Sequence, residues 1–291
     1  MTHTIKKVGI IAKHNIHEQA AYLRQLVAEI QKFDKEVICD KYCAPLIGAT
    51  TSYDKKQLLR KCDLIICLGG DGTLLKTARH MGSRKPFIAG VNMGHLGFLT
   101  EFTSQKILHC LPKIFAGKFR PDERFLLRVT VYRNGKKKKT TLALNDAVIN
   151  QGGFARLITL CVEVNQRKLA HYRADGLIIA TPTGSTGHSL SGGGAIIHPR
   201  IEGYVLTPLC PVKLGVRPIV IPNNRQITIK LETQWRNEKK PLVLTVDGQI
   251  TFNLKKDDII RIRKSSRFFN MIRMEGHNYY KMLRQKLDWG E

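Results

Sequence analysis

Leu64-Ile65-Ile66-Cys67-Leu68 is an unbroken apolar run that ends in Gly69-Gly70. A short run without alternation predicts a strand covered on both faces, the habit of strands in a parallel sheet. The two glycines allow a sharp turn without a Cβ penalty, and the residues after Gly72 read as a helix. Strand, glycine turn and helix together aim backbone N–H groups at a bound anion. Asp71 in this turn has two readings, a helix N-cap or a carboxylate at a site of phosphoryl transfer. The neighbouring segments repeat the alternation. Lys7–Ala12 predicts a strand, and Ile16, Ala20, Leu23, Val27 and Ile30 form the stripe of a helix reaching about Phe33. Asn15 and Glu18 have capping-box spacing. Strands EVICD and Pro86–Asn92, a helix in YDKKQLLRKC and a helix from Ser104 to about Gly117 complete a βαβα order. That order predicts a doubly wound parallel sheet.

Near residue 120 the texture changes. RFLLRVTVYRNGKKKKTTLAL alternates around Asn134-Gly135, and PLVLTVDGQITFNL alternates around Asp247-Gly248. Both predict β-hairpins. QITIKLET, DDIIRIRKS and FFNMIRM read as further strands, and NYYKMLRQKLDW returns to a helical pattern. The chain thus divides into an α/β domain over 1–119, with a C-terminal helix at about 277–291 packed back on it, and a β-rich domain over 120–276.

The 291 residues give room for two domains and carry a net charge of +25. That charge favours anionic ligands, yet the basic residues are scattered apart from Lys136–Lys139, which follow a hairpin turn. A nucleic-acid patch is therefore not the expected reading. No apolar run nears the roughly 20 residues that span a bilayer, and the N-terminal apolar stretch is too short for a secretory signal. The expectation is a soluble cytoplasmic protein. The seven cysteines include no CxxC pair, so neither a disulfide framework nor a zinc site is indicated by spacing. The histidines His80, His95, His171 and His198 likewise lack metal-ligand spacing, and no metal ligand is assigned.

The P-loop, the G-x-G-x-x-G fingerprint, the H-R-D loop and H-E-x-x-H are all absent. Three other segments stand out. Asn145-Asp146 interrupts an apolar stretch, where the pair is either a turn or a grip on a ribose diol. Tyr172–Gly194 runs from an apolar strand into a series of glycines, threonines and serines suited to a nucleotide, or else forms a surface loop. Phe98 follows the fourth strand at the carboxyl end of the sheet, as a pocket wall or as core.

Taken together, LGGDGTLL, NMGHLGFL, LNDAVIN, YRADGLIIATPTGSTGHSLS and VDGQ resemble the NAD kinase family in residues and order. GGDGT alone is shared with lipid kinases. The resemblance implies a Rossmann-like doubly wound α/β domain and a β-rich, sandwich-like domain with NAD bound between them. It implies transfer of the ATP γ-phosphoryl to the adenosine 2′-hydroxyl of NAD, with Mg²⁺ or another divalent cation accompanying ATP, and a homo-oligomer. Carried over by position, Asp71 is the base or an orienting carboxylate at the ribose hydroxyl. Gly69, Gly70, Gly72 and Thr73 face phosphate, Gly72 also being counted among the NAD contacts. Phe98 lines the pocket, and Asn145 and Asp146 hold a ribose. Arg173, Asp175, Thr183, Thr186, Gly187, His188 and Ser191 meet the base or nicotinamide ends, with Asp247 nearby. The chain departs from the family at Gly187-His188, where Ala-Tyr is usual, and at Pro211–Gly215, where many relatives have Pro-His-Ser-Leu-Ser. The rival readings are a lipid kinase sharing the glycine turn and a non-catalytic binder of nucleotides or nucleic acid.

Overall fold

The computed structural model describes residues 4–94, 97–151, 157–232 and 242–288. The chain divides into two compact units, Met1–Glu123 with Arg267–Glu291, and Arg124–Ser266.

In the first unit, β1 (Lys7–Ala12), β2 (Glu36–Cys39), β3 (Leu64–Leu68) and β4 (Phe87–Asn92) form a parallel sheet in the order β4-β3-β1-β2. All five residues of β3 are buried, as an apolar run without alternation requires. The short β5 (Phe102–Thr103) pairs beside β4, and Asn270 and Met271 pair in parallel with Phe87 and Ile88. Helix α1 (Ala20–Gln31) buries Leu23, Leu26, Val27 and Ile30. A separate 3-10 turn, Ile16–Gln19, precedes it. The expected capping box at Asn15 does not form: the Asn15 amide contacts the Glu18 carboxylate instead of a backbone N–H. The box forms at α2 (Lys55–Lys61), where Asp54 accepts from the Gln57 N–H and Gln57 accepts from the Asp54 N–H. Helix α3 (Asp71–Ala78) follows β3, and α4 (Ser104–Phe115) is capped by Thr103 rather than the expected Ser104. Both residues are good caps, but only Thr103 has the extended backbone that presents its hydroxyl to the third N–H of the helix. The C-terminal helix spans Tyr279–Leu287. Among the described residues no helix is long and apolar enough to cross a membrane.

A buried charge cluster braces this unit. Arg273 donates to Glu101 at 3.2 Å, to Asp122 at 2.9 Å and to the Leu99 carbonyl at 3.3 Å. His277 Nδ1 lies 2.8 Å from Glu101. Burial opposes ionisation of Glu101, but the His277 hydrogen bond and the charges of Arg273 and Lys106 outweigh it, so its carboxyl stays below the usual range. Arg273→Ala would strand Glu101 without its main cation. Loss of one partner from such a pair costs about 3–5 kcal/mol, which urea denaturation at neutral pH should read directly.

The second unit is antiparallel. β6 (Arg120–Arg133) and β7 (Lys136–Ala143) form the hairpin around Asn134-Gly135, both with positive φ. β8 (Asp146–Gln151), β9 (Ile158–Val164), β10 (Arg167–Ala174), β11 (Gly176–Ala180), β12 (Gly203–Leu209), β13 (Ile219–Pro222), β14 (Ile227–Leu231), β15 (Leu242–Val246), β16 (Ile250–Leu254) and β17 (Ile259–Arg273) follow. One sheet runs β13-β12-β11-β8-β15-β16, and β10-β9-β14-β17 forms a second ladder. The segments DDIIRIRKS and FFNMIRM, expected as two strands, contribute to the single strand β17; the Lys264-Ser265-Ser266 polar interlude does not break it. Phe125 of β6 meets Tyr204 of β12 edge-on at 5.9 Å. Arg133 holds the fully buried Asp258 through Nε at 2.8 Å and Nη2 at 2.7 Å.

Candidate functional site

Chemistry-bearing residues gather in two clusters, one in each unit. The first lies where β3 gives way to α3. Gly70 is the N-cap, and Asp71 is the first residue of the helix rather than its cap. The Asp71 carboxylate does not turn back on its own helix. It accepts from the Phe98 N–H at 2.9 Å and the Leu99 N–H at 3.1 Å. Of the two sequence readings of Asp71, the N-cap place falls to Gly70, and the carboxylate ties down the segment after β4. Gly97 belongs to the same arrangement: a Cβ there would sit 2.0 Å from Asp71 Oδ1. Its own N–H donates to Thr100 Oγ1 at 3.1 Å. Phe98 is half-buried, Gly70 and Gly72 are exposed, and Thr73 is buried with its N–H on the Gly70 carbonyl at 2.9 Å. Asp71 therefore links the exposed glycine turn to the backbone of Phe98 and Leu99. His95, in the same loop, lies outside the described residues.

The second cluster forms around the start of β8. β11 pairs with β8 so that Ala180 faces Asp146, and the chain leaving β11 wraps over Asn145. The Thr181 N–H donates to the Asn145 carbonyl at 2.8 Å, and Thr181 Oγ1 donates to the Leu144 carbonyl at 2.6 Å. Gly184 comes so near that a Cβ would lie 2.3 Å from the Asn145 oxygen. Such an approach fits glycine alone. Ser185 closes the turn through the Pro182 carbonyl and the Ile197 N–H. Gly184–Thr186 make a 3-10 turn and His188–Ser191 a single helical turn. His188 and Ser191 are exposed, while Thr186 and Gly187 are half-buried. On β10, Arg173 is exposed, and the backbone of Asp175 after it donates to the Leu209 carbonyl.

Asp247 organises the opposite side of the pair. It occupies the left-handed region at φ 50° in the β15–β16 hairpin turn. Its carboxylate accepts three N–H groups, from Leu144 at 3.0 Å, Asn145 at 2.8 Å and Asp146 at 3.1 Å. The sequence placed Asp247 near the site but held no sign of this clamp, because Asp-Gly is an ordinary hairpin pair. Arg124 was missed altogether. It is buried and donates to Thr183 Oγ1 at 3.1 Å. In sequence it is one more arginine of a basic chain, and only its burial marks it.

Burial, and after it the charge of Asp247, push the Asp146 carboxyl up from 3.8 to about 7. A carboxyl that keeps its proton longer folded than unfolded makes stability fall as pH rises between those two values. Between about pH 4 and pH 7, the wild-type melting temperature should therefore decline relative to Asp146→Asn. Parallel melting curves for the two proteins would show that Asp146 titrates normally. Asn145 adds a further sign: its side-chain oxygen is buried and has no hydrogen-bond partner among the described residues. A buried acceptor left open asks for a donor from outside the chain.

Comparison with known proteins covers both clusters. The model of the ATP-NAD kinase N-terminal domain matches residues 8–119, and that of the C-terminal domain matches residues 144–274. The chain is 39% identical over 287 residues to the NAD kinase of Geotalea daltonii, covering 99% of this chain and 100% of that one. It is 40% identical over 288 residues to the NAD kinase of Syntrophotalea carbinolica, with coverage of 99% and 100%. Its fold is similar to the crystal structure of yeast NADH kinase complexed with NADH, at TM-score 0.87 and 23% identity, covering 99% of this chain and 89% of that chain. It is also similar to an NAD kinase from Archaeoglobus fulgidus in complex with ATP, at TM-score 0.73 and 24% identity, covering 97% and 98%.

Proposed function

The chain belongs to the NAD kinase family, and on that premise we propose how its residues transfer the ATP γ-phosphoryl to the 2′-hydroxyl of the adenosine ribose of NAD. The ribose O2′ attacks the γ-phosphorus as the bond to the β–γ bridging oxygen breaks. ADP leaves with that electron pair, and the product is NADP. Asp71 takes the O2′ proton. Each of its oxygens already accepts one backbone N–H, and an ionised carboxylate has about four lone-pair sites. The two amides thus fix its orientation and leave room for the proton. Gly70 and Gly72 face the phosphoryl oxygens with the start of α3, where backbone N–H groups and the helix dipole favour negative charge; Gly69 and Thr73, whose N–H groups are held by the Val91 and Gly70 carbonyls, shape that turn from behind. Phe98 flanks the dinucleotide. Phosphoryl transfer needs little beyond positioning and charge stabilisation.

In the second unit, Asn145 and Asp146 hold a ribose diol. Arg173, Asp175, Thr183, Thr186, Gly187, His188 and Ser191 meet the remaining groups of NAD. Asp247 acts through the three amides it holds. The observation that carries this assignment is the open Asn145 side-chain oxygen, buried beside a carboxyl that titrates near neutrality. A sugar hydroxyl supplies the donor that this oxygen lacks. A divalent cation such as Mg²⁺ arriving with ATP would neutralise charge on its phosphates, and no residue of this chain is assigned as its ligand. A homo-oligomer working in the cytoplasm extends the same family reading.

The test is direct. Purified protein is incubated with NAD, ATP and Mg²⁺, and NADP is followed with an NADP-specific dehydrogenase. Accumulation of NADP is expected. Folded protein that makes none, yet phosphorylates a diacylglycerol-type lipid, would overturn the reading.

A further inference from the structure

We propose that Cys161, His171 and Glu232 form a binding site for a thiophilic divalent cation, Zn²⁺ being the ion their chemistry suits, on the face of the β10-β9-β14 ladder. The register builds the site. Cys161 faces His171 across the β9–β10 pair and Lys230 across the β9–β14 pair. Side chains alternate along a strand, so Glu232, two residues beyond Lys230, returns to that same face. The ladder continues that far, because the Glu232 N–H donates to the Thr159 carbonyl at 3.1 Å.

The donor atoms, one from each residue, all lie within 4.8 Å of one another. His171 Nδ1 and Glu232 Oε2 already approach to 2.9 Å. Tetrahedral Zn²⁺, with bonds of about 2.0–2.3 Å, places its ligand atoms roughly 3.3–3.8 Å apart. The sulfur needs to draw in slightly and the imidazole–carboxylate contact to open. Burial allows both: Cys161 is 8% exposed, while the side chains of His171 and Glu232 are 39% and 41% exposed. The thiol is the floor and the other two groups are a rim that can turn.

The chemistry of the set decides the ion. Thiolate and imidazole select zinc-like ions over Mg²⁺, which takes oxygen ligands. Lys230, the cation nearest in register, is paired with Glu163 at 2.5 Å and also feels the charge of Glu232. Metal binding releases the thiol proton to solvent, and a water fills the fourth position. An ion there would staple three strands. One of them, β10, carries Arg173 two residues beyond His171. Cys161 and His171 face each other across one hairpin, but Glu232 comes from just past β14, 61 residues beyond His171, so no spacing motif announces the set.

The test uses the full chain, freed of metal and titrated with Co²⁺ and then Zn²⁺. Wild type is expected to bind one equivalent of Co²⁺ with a thiolate-to-cobalt charge-transfer band. Zn²⁺ should displace it, and Mg²⁺ should not. Cys210→Ser, which removes the exposed thiol, should behave as wild type. Cys161→Ser should lose the band. His171→Ala and Glu232→Gln should weaken binding by at least about tenfold, the lower end for losing a group that merely supports a metal ligand. These two also stand if Cys161→Ser does not fold. No saturable binding, or a band that survives in Cys161→Ser, would overturn the site. So would unchanged affinity in both rim variants.

Discussion

Asp71→Asn is expected to lower kcat by about 10²–10⁴, the usual contribution of a positioned general base, while the protein stays folded. The substitution preserves shape. It also has a structural cost, because Asp71 accepts from two backbone amides, Phe98 and Leu99. Asparagine keeps one acceptor oxygen, and its NH₂ group opposes the other N–H. An unsatisfied partly buried donor costs about 1–3 kcal/mol. The variant should therefore melt lower and turn over far more slowly, with KM for NAD changed much less than kcat. That split separates the two roles. If the carboxylate only tied down the 97–99 segment, the effect would fall on stability and KM, and kcat would hold. The experiment is a steady-state assay of wild type and variant at saturating NAD and ATP, with thermal melts beside it.

Asp247→Ala should be the most destabilising single change near the second cluster. It removes the acceptor of three N–H groups, from Leu144, Asn145 and Asp146, two of them in buried residues. Hydrogen bonds to an ionised group contribute about 1.5–3 kcal/mol each. They share one carboxylate and do not add fully, so a loss of about 3 kcal/mol or more is expected. Alanine is also poorly suited to the left-handed backbone at φ 50°. Asp247→Asn isolates the carboxylate, since asparagine tolerates that backbone. It should cost less stability, yet still raise KM for NAD by releasing Asn145 and Asp146 from their fixed positions. It should also lower the Asp146 carboxyl by removing a neighbouring negative charge. Urea melts and the pH profile of kcat/KM read these effects separately. An Asp247→Asn enzyme with unchanged KM would remove the positioning role.

Local rules account for much that was legible before the structure. Apolar runs without alternation predicted the parallel strands, and β3 is buried throughout. The Asn134-Gly135 and Asp247-Gly248 pairs predicted two hairpin turns, and all four residues have positive φ. These signals are local because periodicity and turn chemistry depend on neighbouring residues. The misreadings were local as well. Asn15 and Ser104 carry good capping side chains, but a cap also requires a particular backbone conformation, which composition does not reveal.

The candidate residues could be named from sequence because a family pattern preserves residue types in order. What they touch could not be. The Asp71 carboxylate meets amides 27 and 28 residues away, and Asp247 meets amides more than a hundred residues back. The open oxygen of Asn145, the buried Arg124 beside Thr183 and the Cys161–His171–Glu232 group belong to the same class. Each depends on strand pairing, and a register is set by hydrogen bonds between distant segments. The sequence by itself determined which elements form, apart from a few caps and strand ends, and which side chains were candidates for chemistry, because backbone propensity, burial pattern and family motifs are read from short stretches. Only the tertiary structure decided which of those side chains meet, because the carboxylates, amides and thiol that define the clusters come together through pairings that no local stretch encodes.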